Sequence, residues 1–338
     1  MSEPKVISFF AGCGGSSLGY KLAGCNVIGS YDWEQTAVDI YRMNFPKTVS
    51  FVDDIRNVNA SLIKANFGIL PGELDILDGS PPCTPFSMSG QREKKWGKDY
   101  QSSADSKSQR SDDLFFEYIR MIKELNPKIF VAENVKGLII GKARTMYFDR
   151  IVRKMKELGY TLEVYLVNAA FYEVPQARQR VIIIGKRDDI KTRHNEDLKP
   201  VSKPISFLQG ISKPPIKIPK DELDYAYRRY NNSVMSILVP YTKNQKSLAT
   251  VHPKQNNFNF IKVSYDKPLP TLTTHLSFFH PTDKRFLTFT ELKRCSSFPD
   301  DFKFPEGMIA NNIQRLGNCV PPNLMKNIAI YIQKKFVF

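Results

Sequence analysis

From Met1 to about Lys186, short runs of β-branched and apolar residues alternate with segments of helical period, the pattern of a doubly wound α/β sheet. Val6 to Phe10, Val27 to Tyr31, Leu74 to Asp78, Ile129 to Ala132, Leu162 to Val167 and Val181 to Gly185 are the predicted strands, expected to form one mostly parallel sheet. Asp113 to Leu125 predicts a helix, because Leu114, Tyr118, Met121 and Ile122 recur at i, i+4, i+7 and i+8 and make one apolar face. The texture changes near Arg187. Five prolines fall between Pro200 and Pro219, all four histidines lie between His194 and His280, and alternation is short and irregular, which predicts a loop-rich second domain. Beyond it, Thr290 to Phe298 reads as a short helix and Pro322 to Phe336 as another, with Leu324, Ile328 and Tyr331 on one face. Ser87 to Arg110 is polar and exceeds the roughly 12 to 15 residues of an ordinary connection, so it is expected to be a lid.

With 338 residues the chain has room for about two domains of roughly 150 residues each. Hydrophobic residues at 42% and charged residues at 25% exclude a disordered or collagen-like chain. The 49 basic and 34 acidic residues leave +15, and 18 basic against 9 acidic residues fall between Lys186 and Thr290. A basic second domain points to a polyanionic partner, since phosphates attract Lys and Arg irrespective of sequence. Five cysteines without a C-x-x-C pair suggest neither a disulfide framework nor a zinc module. No apolar stretch approaches the roughly 18 residues of a membrane span, and a cytoplasmic protein without a membrane partner is expected.

Candidate chemistry gathers at strand ends. After the first strand comes Phe10-Ala11-Gly12-Cys13-Gly14-Gly15-Ser16-Ser17, a glycine turn that lets backbone approach a ligand. Asp32 ends the second strand twenty residues after Gly12, where a carboxylate can accept from ribose hydroxyls, so an adenosine-containing cofactor is expected. Trp33 suits either adenine stacking or an ordinary core role, and Asp54 either the same pocket or a helix cap. In Gly79-Ser80-Pro81-Pro82-Cys83, two prolines fix the backbone ahead of a cysteine at the carboxyl edge of the sheet, presenting either a nucleophile or a buried structural thiol. Glu133 follows the fourth of these strands and is a candidate proton donor if buried beside a base. Arg178 and Arg180 offer guanidinium groups for a phosphate or carbonyl, or else surface ion pairs.

Taken together, FFAGCGG, GSPPC, ENV, QARQR and QRLGNCVPP, in that order and over nearly the full length, resemble the cytosine-5 DNA methyltransferase family of bacterial restriction-modification systems. The resemblance implies a Rossmann-like methyltransferase sheet over 1–186 plus 305–338 and a target-recognition domain with hinge over 187–304. It implies S-adenosyl-L-methionine as cofactor, held by Phe10, Gly12, Gly14, Asp32, Trp33, Asp54, Ile55, Pro82, Asn318 and Val320. Cys83 would add to carbon 6 of a cytosine swung out of double-stranded DNA, Glu133 would protonate ring nitrogen 3, and Arg180 with Arg178 would hold the base carbonyl or a phosphate. A restriction endonuclease acting on the same site is an expected partner, with the enzyme a monomer on DNA. The Asp-x-Arg-Gly run that family members often carry before Leu-Phe is replaced here by Gln109-Arg110-Ser111-Asp112-Asp113. A same-fold tRNA cytosine methyltransferase is the nearest alternative, although its typical Cys-Phe-Thr tripeptide is absent; a non-catalytic DNA-binding relative is the next.

Overall fold

The computed structural model describes residues 3–82, 99–101, 108–110, 114–141, 144–212, 216–251 and 260–338. The chain packs as two units, one of Met1–Val167, Gln179–Lys199 and Met325–Phe338, the other of Asn168–Arg178 and Pro200–Leu324. Residues 168–178 and 305–324, grouped with the catalytic part in the sequence reading, therefore pack in the second unit.

The first unit is built on seven strands: β1 Lys5–Phe9, β2 Asn26–Asp32, β3 Val49–Val52, β4 Ile76–Gly79, β5 Ile129–Val135, β6 Tyr160–Asn168 and β7 Gln179–Arg187. Their order across the sheet is β3-β2-β1-β4-β5-β7-β6. From β3 to β5 every pairing is parallel, and β7 runs antiparallel to β5. Strands β1, β4 and β5 are buried on both faces, so none shows a polar face; β1 and β5 read as nearly continuous apolar runs, whereas β4 carries Asp78. Among the described residues, five α-helices precede β6: α1 Gly15–Leu22, α2 Gln35–Asn44, α3 Ala60–Phe67, α4 Leu114–Leu125 and α5 Asp149–Glu157. α4 buries Leu114, Tyr118, Met121 and Ile122 as its periodicity predicts, against a core containing Ile7, Phe9, Leu77, Phe130 and Ile183. The Tyr118 hydroxyl lies 2.9 Å from both Leu77 O and Val131 O, so α4 is fastened to β4 and β5 at once.

β5 continues past the predicted end at Ala132, because β7 pairs along its whole length, with Ile182 opposite Glu133 and Arg180 opposite Val135. Glu133 is thus a strand residue. Within the segment predicted as a lid, Asp99–Gln101 pairs antiparallel with Ser108–Arg110, and the remainder of Ser87–Arg110 lies outside the described residues.

The second unit holds more helix than its irregular sequence predicts: α6 Phe207–Ser212, α7 Lys220–Asn231, α8 Phe289–Cys295 and α9 Ile309–Asn318, followed by α10 Pro322–Lys335, most of which belongs to the first unit. Its core contains Phe278, Phe279 and Phe286, the last two stacked with ring centroids 4.2 Å apart. α8 starts with a capping box in which Thr288 and Glu291 exchange hydrogen bonds, and Arg285 holds both oxygens of Glu291 at 2.8 and 2.9 Å. α9 is not predicted from the sequence, because the face it buries includes Asn312 and Arg315 beside Ile313 and Leu316. No helix of the described residues is long and apolar enough to cross a membrane.

Candidate active site

The carboxyl edge of the parallel strands carries two arrangements, both within the first unit. At the first, the chain leaves β1 through a sharp turn in which Phe10, Gly12 and Gly14 all have positive φ, at 54°, 54° and 96°. Gly14 is the residue on which α1 begins, in the left-handed conformation that glycine adopts without penalty. Phe10 has no such freedom, and a side-chain-bearing residue held there marks stored strain of the sort found at ligand clamps. The Asp32 carboxylate is steered by two backbone donors, Gly12 N–H at 2.8 Å and Glu34 N–H at 3.0 Å. A cleft opens here, lined by Phe9, Phe10, Tyr31, Asp32, Trp33, Asp53 and Ile55.

This donor set fits an adenosine-bearing sulfonium ligand: aromatic and aliphatic walls suit a ring system, and two carboxylates suit hydroxyl donors and a cation. Phe10, Asp32, Trp33 and Ile55, four residues expected from the sequence, share the cleft, and Gly12 is bonded to one of them. Asp54 is not among the residues lining the cleft. It caps the turn Ile55–Asn57 by accepting from Arg56 N–H at 3.0 Å and pairs with the Arg56 guanidinium at 3.1 Å. Asp53, which sequence reasoning passed over, lines the cleft instead. The signal was present: Val52 pairs with Asp32 across β3 and β2, so the next residue emerges level with the ligand edge.

The second arrangement stands at the ends of β4 and β5, where Gly79 pairs with Ala132. From here Ser80-Pro81-Pro82 leads toward Cys83, which itself lies outside the described residues, as do Ser111 to Asp113. Asn134 donates to Pro81 O at 3.2 Å, tying the approach to Cys83 onto β5. Glu133 is buried, and Arg180 Nε lies 2.7 Å from its Oε1, both side chains showing about a tenth of their surface. The remaining cysteines are buried, and burial pushes the Cys25 thiol up to about 12 and that of Cys295 higher still, away from thiolate chemistry.

Arg178 belongs to the second unit. It is 4% exposed, and its Nη1 donates to Leu272 O and Gly317 O, both at 3.1 Å. Beside it, Gln176–Ala177 pairs in parallel with Leu269–Pro270, so QAR, PLPTL and RLG meet at one junction. Asn318 ends α9 and Val320 is buried two residues on, also in the second unit. Among the described residues no group of three or more His, Cys, Asp or Glu side chains could hold a metal ion.

A family profile described as C-5 cytosine-specific DNA methylase matches residues 4–334. Type II methyltransferase M.Sau96I of Staphylococcus aureus is 30% identical over 356 residues, spanning 98% of this chain and 75% of that protein. Type II methyltransferase M.PspPI of Psychrobacter sp. (strain TA137) is 31% identical over 342 residues, spanning 94% and 76%. Among solved structures, a prophage-encoded E. coli protein assigned as a DNA modification methyltransferase superposes with a TM-score of 0.74 at 21% identity, covering 98% of this chain and 99% of that one. A DNMT2 variant of Spodoptera frugiperda gives 0.66 at 19% identity, covering 97% and 100%.

Proposed function

Because the chain belongs to the C-5 cytosine-specific DNA methylase family, and is a DNA cytosine-5-methyltransferase using S-adenosyl-L-methionine, we propose that Cys83 is its nucleophile and that Glu133 and Arg180 grip the cytosine. The observation that carries this reading is the buried Glu133–Arg180 pair on the strand to which Asn134 ties the chain leading to Cys83. Phe10, Asp32, Trp33, Ile55 and Asp53 would hold the cofactor, with Gly12 and Gly14 shaping the turn beneath it. Asp54, Pro82, Asn318 and Val320 are proposed as further cofactor contacts.

In this reaction the Cys83 thiolate bonds to carbon 6, and the electron pair displaced from the carbon 5–carbon 6 double bond makes carbon 5 nucleophilic. Glu133 supplies a proton at ring nitrogen 3, so the ring does not accumulate negative charge. Arg180 holds Glu133 against the base edge, and Arg178 acts at a distance by fixing the Leu272 and Gly317 carbonyls. S-adenosylmethionine, when bound, would supply a methyl group made electrophilic by its sulfonium, the sulfur keeping the bonding pair as a neutral thioether. Loss of the carbon 5 proton to a base then returns electrons to the ring and expels Cys83 as thiolate, and the nitrogen 3 proton goes back to Glu133 to leave a neutral methylated base. Carbon 6 is inaccessible in a stacked duplex, so the cytosine must be extruded from double-stranded DNA. The relatives' names as Type II methyltransferases support a place in a restriction-modification system, with an endonuclease acting on the same site.

The test is transfer of labelled methyl from S-adenosylmethionine to duplex DNA and, separately, to tRNA. Label in DNA, lost in Cys83→Ala while DNA binding persists, is the expected result, together with covalent trapping on duplexes carrying 5-fluorocytosine at the target. Label confined to tRNA, or an active Cys83→Ala variant, would overturn the assignment.

A further inference from the structure

Asp78 occupies the third position of β4, a strand whose four residues are all buried, and it is itself 1% exposed. An aliphatic side chain would suit a strand covered on both faces better than a carboxyl group. Three hydroxyls converge on it. Ser8 Oγ from β1 and Ser16 Oγ from α1 donate to Oδ2 at 2.7 and 2.8 Å, and Tyr20 OH from α1 lies 3.3 Å from Oδ1. Two of the three donors therefore sit one turn apart on the helix that follows the glycine turn.

That helix needs an outside anchor. Its N-cap is Gly14, with no side-chain hydrogen bond, and its first turn has no acidic residue. Asp78 supplies a tie from a neighbouring strand instead, accepting from the hydroxyls of Ser16, the second residue of α1, and of Tyr20 one turn on. One residue beyond Asp78, the chain passes into Gly79-Ser80-Pro81-Pro82 and on to Cys83. One buried side chain thus touches the element that shapes the cofactor turn and belongs to the strand that delivers the nucleophile.

We propose that Asp78 is a positioning residue for methyl transfer, whose carboxylate, through Ser16, Tyr20 and Ser8, locks the glycine turn of the cofactor cleft to the strand leading to Cys83. The proposal rests on the cofactor reading given above. It carries a pH signature. Burial raises the Asp78 carboxyl to about 6, Glu133 on β5 pushes the same way, and the three hydroxyls pull it down. The other titratable groups facing it are Tyr20 on α1, Tyr41 on α2 and Tyr118 on α4, all held above their usual range by burial and so neutral near pH 6. Protonation turns one acceptor oxygen into a donor, and the paired serine bonds on Oδ2 cannot both survive if that oxygen takes the proton.

The experiment measures S-adenosylmethionine binding by calorimetry on the full chain, without DNA, for wild type, Ser16→Ala, Asp78→Asn and the double variant. Each single change should raise Kd about tenfold at pH 7.5, as expected for loss of a charge-assisted hydrogen bond. The double variant should be little weaker than either, because both changes break one link. Wild-type affinity should fall between pH 7.5 and 5.5, and the Asp78→Asn curve should be flat. KM for the cofactor should rise with Kd while KM for DNA holds. Variants that melt earlier but bind with wild-type Kd and a parallel pH curve would reduce Asp78 to a core residue and overturn the proposal. If Asp78→Asn does not fold, Ser16→Ala decides alone, since it deletes one hydroxyl and buries no new group; unchanged Kd there sinks the idea. Wild-type protein that binds no S-adenosylmethionine overturns the cofactor reading and this inference with it.

Discussion

Arg180 Nε sits 2.7 Å from Glu133 Oε1 although 46 residues separate the two in sequence. The contact follows from register: β7 runs against β5, so Arg180 enters the sheet at the edge where Glu133 leaves it. Glu133→Gln should lower the single-turnover rate by about 10²- to 10⁴-fold, the range for loss of a positioned proton donor. Rates within twofold of wild type would remove Glu133 from the chemistry.

Arg180→Ala should cost more in stability than an ordinary surface change. It strands a carboxylate that is nine-tenths buried, a situation that costs about 3–5 kcal/mol when one partner of a buried pair is removed. Urea denaturation monitored by tryptophan fluorescence reads this directly. A midpoint matching wild type would mean that solvent reaches the pair.

Asp78 gives a pH dependence of folding with a definite sign. Its carboxyl ionises near the ordinary value of 3.8 when unfolded and at about 6 when folded, so between these pH values the folded chain binds more protons. Stability contributed by this group therefore declines as pH rises from about 4 to about 6, and the full penalty applies above that window, on the order of 3 kcal/mol. Asp78→Asn should remove this component, so that the difference in unfolding free energy between variant and wild type grows over that interval. Parallel stability curves would contradict the assigned shift.

Gly317 meets the Thr273 carbonyl so closely that a Cβ would lie 2.1 Å from its oxygen. Gly317→Ala must displace backbone, with Arg178 bonded to the Gly317 carbonyl on the same residue. A destabilisation of at least about 1–3 kcal/mol is expected, as for overpacking elsewhere. Thermal melting of the full chain checks it, and an unshifted midpoint would show that the contact is looser than drawn.

The net charge of +15 predicts strongly salt-dependent DNA binding. Released counterions should lower affinity by at least about 10³ between roughly 50 and 200 mM salt if six or more phosphates are contacted. Affinities measured across that range that stay level would exclude a phosphate-dominated interface.

Much of the first unit was legible because strands covered on both faces leave nearly continuous apolar runs, and β1, β5 and β7 fall where those runs lie. The antiparallel direction of β7 was not legible, since direction depends on how the preceding chain returns and leaves no local trace in Val181–Gly185. The Gly12–Asp32 spacing led to a real hydrogen bond. Asp54 and Asp53 could not be told apart by spacing, because adjacent residues differ only in which way they face. In the sequence Asp78 is the end of a strand and nothing more: its meaning depends on Ser8, Ser16 and Tyr20, 58 to 70 positions away. Arg178 and Arg180 look alike on paper, yet one binds main-chain carbonyls and the other a carboxylate.

The sheet is complete by Arg187, before Pro200–Leu324, the bulk of the second unit, begins. Every strand register, including the one joining Glu133 to Arg180, is therefore fixed without that stretch. A change of length within it leaves the antiparallel pairing that joins Glu133 to Arg180 where it is.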